Sequence, residues 1–89
     1  MAGTPRKIAA RFIETEIDDE IVVLRLSDAD VFSLLGTSRE IWACIDGVRS
    51  LAAIIDALAD RHGMARERVA ADVERFVAEL CDAGFVELA

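Results

Sequence analysis

Apolar and polar residues alternate with a period of two over the first third of the chain and follow a helical period over the rest. Residues 10–17, Ala-Arg-Phe-Ile-Glu-Thr-Glu-Ile, mix β-branched and aromatic residues with polar ones and predict a strand. Asp18-Asp19 predicts a turn. Residues 21–26, Ile-Val-Val-Leu-Arg-Leu, predict a second strand with Val22, Leu24 and Leu26 on one face. Ser27-Asp-Ala-Asp30 is a second turn, and residues 31–35, Val-Phe-Ser-Leu-Leu, a third, short strand. Such short connections imply an antiparallel meander.

Helical spacing takes over after Gly36. Thr37-Ser-Arg-Glu40 reads as a capping box, with Thr37 and Glu40 each satisfying the other's amide. It opens a short helix carrying Ile41, Trp42 and Ile45, which Asp46-Gly47 ends. Ser50 predicts the N-cap of a second helix, whose Leu51, Ile54, Ile55 and Leu58 share one face. Gly63 suits the left-handed position after that helix, with His62 near the negative end of its dipole. A third helix over 66–83 carries Val69, Val73, Phe76, Val77 and Leu80, and Gly84 stops it. The apolar tail 85–88 is a candidate final strand.

Strands followed by helices predict an α+β domain, a three-stranded antiparallel sheet covered by three helices. The second and third helices, joined by a short turn with Gly63, also resemble a helix-turn-helix. No linker or repeat divides the sequence. One domain over 1–89 is expected, with an ordered core over about 10–88.

Composition narrows the function. The apolar fraction of 54% is too high for a disordered chain. No apolar run reaches the ~18 residues of a membrane span, and residues 1–7 carry no signal for secretion, so a cytoplasmic protein without membrane partners is expected. The net charge of −7 argues against nucleic acid, whose phosphates select basic stripes. Cys44 and Cys81 form no CxxC pair, and His62 lies far from either, so no zinc site is expected and both thiols read as small apolar residues.

The chain shows no catalytic set. His62 is the single histidine, neither cysteine has a neighbouring base, and the five glycines are isolated from one another. Asp18, Asp19, Asp28 and Asp30 sit where turns favour aspartate. A non-enzymatic protein without a cofactor is expected. On the third helix, Arg68–Asp72 and Arg75–Glu79 have the spacing of solvated ion pairs, although one flank of this helix could instead meet a ligand. Trp42 reads as a core anchor.

The third strand, short and apolar, has no Lys or Pro to protect an open edge, and an open edge beside an amphipathic helix is a dock for an added strand. Segment 85–88, or closure by the first strand, would cover that edge instead. Composition leaves these alternatives even.

Three stretches resemble one family. Asp30-Val-Phe-Ser-Leu-Leu-Gly-Thr-Ser-Arg-Glu-Ile-Trp42 is similar to the PqqD pattern of a short aromatic strand running into a helix. Asp46-Gly-Val-Arg-Ser-Leu-Ala-Ala-Ile-Ile55 resembles that family's Asp-Gly junction, and residues 65–88, closing with Ala-Gly-Phe-Val-Glu, resemble its last helix. The resemblance covers about 12–88. Where the family's third strand often ends Leu-Asn, this chain has Leu34-Leu35. The resemblance implies a winged helix-turn-helix-like domain that recognises ribosomally made, modified peptides. It implies a precursor leader bound antiparallel to the third strand, in a groove against the third helix. Carried to this sequence, the peptide-binding residues are Val31, Phe32, Ser33, Leu34 and Leu35 on the strand. On the helix they are drawn from Val69, Asp72, Val73, Arg75, Phe76 and Leu80. The implied partners are the leader and a modifying enzyme. That enzyme is a radical SAM enzyme, as in pyrroloquinoline quinone biosynthesis, or a leader peptidase and cyclase, as in lasso peptide biosynthesis.

Two rival readings stand beside this one. A DNA-binding winged helix would share the fold, but Glu67, Asp72, Glu74 and Glu79 on the third helix repel phosphate. An acyl carrier would use Ser50-Leu51 as its attachment site, but Arg49 stands where that motif has Asp, and three strands do not suit a helical bundle.

Overall fold

The computed structural model describes residues 3–89. Its strands are β1 (Pro5–Lys7), β2 (Phe12–Ile17), β3 (Glu20–Arg25), β4 (Val31–Leu34) and β5 (Val86–Leu88). Its helices are α1 (Gly36–Cys44), α2 (Leu51–His62) and α3 (Arg66–Asp82). The meander has the order β2-β3-β4, antiparallel throughout, followed by the three helices. This is the expected α+β, winged helix-turn-helix-like architecture.

A second, two-stranded sheet pairs β1 with β5, Arg6 opposite Glu87. It lies partly before the expected ordered core, and an Arg6–Glu87 ion pair reinforces it. The tail 85–88 is therefore a strand, but its partner is β1 and not β4. Thr4 and Ala89 exchange backbone hydrogen bonds at the end of this ribbon. Leu51 donates its amide to Gly3, which ties α2 to the same ribbon.

The buried face of β3 carries Ile21 and Val23, on the side opposite the Val22–Leu24–Leu26 row. Those three share a face as expected, but it is the outer one, and Leu26 is exposed. Apolar residues on both faces of β3 hid which side met the helices.

Trp42 is fully buried as the core anchor, edge-on to Phe12 at 5.2 Å and to Phe85 at 6.4 Å. Its indole N–H donates to Glu14 at 2.9 Å, which satisfies the polar tip of an otherwise apolar ring. The stripe on α3 is Val69, Val73, Val77 and Leu80, all buried, with Phe76 on its flank.

Two caps form as predicted. Ser50 accepts from the Ala53 amide at 3.1 Å, and Gly63 adopts φ 61° after α2. The capping box does not form. No side chain caps α1, whose N-cap is Leu35, and Glu40 instead meets His62 of α2. His62 is thus both near a helix end and cross-linked to a neighbouring helix. The ion pairs of α3 also differ from expectation: Arg75 turns back to Asp72 at 3.4 Å. An acid N-terminal to its base is the better order on a helix, and Arg75–Glu79 has the reverse order. Of the two free cysteines, Cys44 is buried and Cys81 partly so; burial and then Asp82 push the Cys81 thiol up.

Candidate functional site

The backbone of the meander decides what its edges offer. Arg25 donates its amide to Asp30, and Leu26 donates to Arg11. Odd-numbered residues of β3 therefore bond toward β4 and even-numbered ones toward β2, because bonding direction alternates along a strand. With Val23 opposite Phe32 and Ile21 opposite Leu34, the main-chain groups of Phe32 and Leu34 face β3. Those of Val31 and Ser33 face away from the sheet. Among the described residues no strand pairs with that outer row.

Beside this edge lies a groove walled by α3. Phe32, Leu34, Phe76, Leu80 and Phe85 line an apolar cavity of about 120 Å³, with Glu79 and Ala83 at its side. Phe32 stands edge-on to Phe85 at 5.1 Å, so the floor is aromatic and continuous with the core. A second, wider and more polar space opens next to it, between Thr37 and Ser38 of α1 and Asp72, Arg75 and Glu79 of α3. Phe76 and Glu79 belong to both. A third cavity lies further along α3, where Val69, Asp72 and Val73 meet Glu40, Leu58 and His62. Ala83 accompanies Phe32 at one end while Asp72 accompanies Thr37 at the other, so α3 runs opposite to β4.

Arg25 braces the near end of the groove. It donates to the Ala83 carbonyl at 3.1 Å and to Asp28 at 3.0 and 2.7 Å, and its guanidinium lies 5.2 Å from the Phe32 ring centre. This one side chain joins β3, the β3–β4 turn and the end of α3. Hydrogen bonding to Asp28 raises the Arg25 pKa, and the same contact, with the Asp30 amide, holds the Asp28 carboxyl below its usual range. In the turn before α2, the amides of Arg49 and Val48 lower Asp46.

The predicted site residues separate into four groups. Phe32, Leu34, Phe76 and Leu80 come together on the apolar cavity. Asp72 and Arg75 line the polar space. Val69 and Val73 are buried and face only the third cavity, away from the strand edge. Val31 and Leu35 are exposed, and with Ser33 they line none of the three cavities; Val31 and Ser33 offer main chain. Sequence reasoning missed Glu79 and Phe85 as groove residues. Both had signals: Glu79 follows Phe76 by three residues and so shares its flank of α3, and Phe85 directly follows the glycine that turns α3 back toward the sheet.

Among the described residues no group of three or more His, Cys, Asp or Glu could hold a metal ion, and no helix is long and apolar enough to cross a membrane.

The architecture has counterparts among known proteins. No curated protein matches the chain. The solved structure of TbiB1 in complex with the TbiA(beta) leader peptide matches with a TM-score of 0.81 and 27% sequence identity, covering 91% of this chain and 94% of that one. Residues 20–86 match the family described as coenzyme PQQ synthesis protein D, a span that includes the sheet edge, all three helices and the groove between them. On that match, the chain belongs to the PqqD family.

Proposed function

We propose that this domain binds the leader segment of a ribosomally synthesised precursor peptide and presents it to a modifying enzyme. The leader adds to β4 as an antiparallel fourth strand and lies in the groove against α3. The observation that carries this reading is the open row of main-chain groups at Val31 and Ser33 beside an apolar, aromatic-floored cavity. Main-chain pairing supplies affinity in such strand addition, and pockets for alternate side chains supply specificity. Family membership supports the reading, as does likeness to a protein solved with a leader peptide.

In this reading Phe32, Leu34, Phe76 and Leu80 receive side chains, Asp72 and Arg75 form the polar end, and Val31, Ser33 and the amide of Leu35 serve as backbone partners. Val69 and Val73 support α3 from within. The domain performs no chemistry itself. Its partner enzyme is a leader peptidase acting with a cyclase, or a radical SAM enzyme. DNA is a poor alternative ligand, since Glu67, Asp72, Glu74 and Glu79 line the helix that would enter a groove.

Calorimetry with synthetic segments of the precursor tests the proposal. The leader alone should bind about as well as the full precursor, and the precursor's mass should stay unchanged after incubation with the purified domain. Binding carried by the core segment alone would overturn it.

A further inference from the structure

The register of the open edge fixes more than the place of a ligand strand. A strand paired with the main-chain groups of Val31 and Ser33 has its residues opposite Phe32 and Leu34 pointing to the same side as those two. That side is the groove. Two side chains of the ligand, two residues apart, therefore enter it. The one opposite Phe32 meets the apolar cavity of Phe32, Phe76, Leu80 and Phe85. The one opposite Leu34 borders the same cavity on its α1 side, next to the polar space that Thr37, Ser38, Asp72, Arg75 and Glu79 line.

The charges of that space do not cancel. Arg75 is engaged by Asp72 at 3.4 Å. Glu79 is exposed and, among the described residues, its carboxylate has no ion-pair or hydrogen-bond partner. It stands on the wall shared by the polar and apolar spaces. One acid in excess, at the boundary between two side-chain positions, favours a cation there.

We infer that Glu79 sets the charge preference of the groove: it selects a peptide carrying a Lys or Arg two residues from the large apolar side chain that fills the Phe32–Phe85 cavity. The inference rests on the proposed strand addition but names a recognition element that strand addition does not require.

Selection from a displayed library of short randomised peptides, on the folded full-length chain, tests it without knowledge of the natural leader. Wild-type protein should enrich a large apolar residue with a basic residue two positions away, over the acidic counterpart by roughly two- to fivefold, the range of an exposed ion pair. Glu79→Gln should flatten that preference, and Glu79→Lys should turn it toward Asp and Glu, while the apolar position persists in both. An apolar position enriched with no charge preference beside it, or a preference that Glu79→Lys leaves in place, overturns the inference and leaves strand addition standing. A motif equally enriched on Ser33→Pro protein takes down the strand-addition reading, and this inference with it.

Discussion

β2 and β4 border the same sheet, and among the described residues each leaves one row of main-chain groups without a partner strand. The side chains around the two rows differ. On β2, Glu14 and Glu16 point inward and are held by Trp42 and Arg39 of α1, at 2.9 and 3.1 Å. Lys7 lies over the Trp42 ring at 4.4 Å, its pKa lowered by burial against the pull of Glu14 and Asp46. Inward-pointing charges are a recognised guard against strand addition. β4 has no such guard: its inward residues are Phe32 and Leu34, and the groove beside them is apolar. One edge carries inward charge and the other borders an apolar groove, so on the proposed reading a peptide strand adds to β4 and not to β2.

The largest expected effect removes the floor common to both edges. Phe85 contacts Phe12, Phe32 and Trp42, and Phe85→Ala should lower stability by about 3–5 kcal/mol. Urea unfolding measures it, and a loss under 1 kcal/mol would mean that the aromatic cluster does not join the two edges.

Glu14→Ala tests the guard. It leaves the buried indole N–H of Trp42 without its acceptor, at a cost of about 1–3 kcal/mol, while leader binding by the folded protein stays unchanged. Glu14→Gln, which keeps an acceptor, should recover most of that stability. A leader affinity that falls in either variant would place the ligand on β2.

Ser33→Pro tests the open edge. Proline is tolerated at sheet edges and removes the outward amide of Ser33. The protein should stay folded by circular dichroism and bind leader roughly two- to tenfold more weakly, the worth of one hydrogen bond. Phe32→Pro removes an amide that faces β3 and should weaken the fold instead.

The smallest effect concerns the turn before β4. The Asp28 carboxyl is lowered first by its hydrogen bond to Arg25, then by the Asp30 amide. A carboxyl depressed on folding contributes stability above its unfolded pKa and loses it as pH falls through the folded one. Acid below the ordinary aspartate range should therefore loosen this brace. Carboxyl NMR should show Asp28 titrating low, and Arg25→Met should return it toward the ordinary value.

Much of this fold is legible in local pattern, because β2, β3 and β4 are β-branched and aromatic runs between turn signals and α2 and α3 repeat at helical spacing between recognisable stops. The ribbon of β1 and β5 is not. Pro5-Arg6-Lys7 has no alternation of its own and becomes a strand only by meeting Val86–Leu88, with Arg6 paired to Glu87, 81 positions away. The capping box failed for a similar reason: Glu40 is drawn to His62, 22 positions along the chain, rather than to its own helix end. The candidate site was half legible. The apolar strand and helix could be named, but the rotation of α3 against β4 is a tertiary property. That rotation turns Phe76 and Glu79 toward the groove and buries Val69 and Val73.

A leader strand on the outer row of β4 would be read out residue by residue in amide hydrogen exchange. Phe32 and Leu34 should be protected in the free protein, since their amides face β3. Val31 and Ser33 should exchange freely until leader is added and then become protected, with β2 unchanged. Leader binding that leaves Val31 and Ser33 as exposed as before, or that protects the β2 amides instead, would contradict the account.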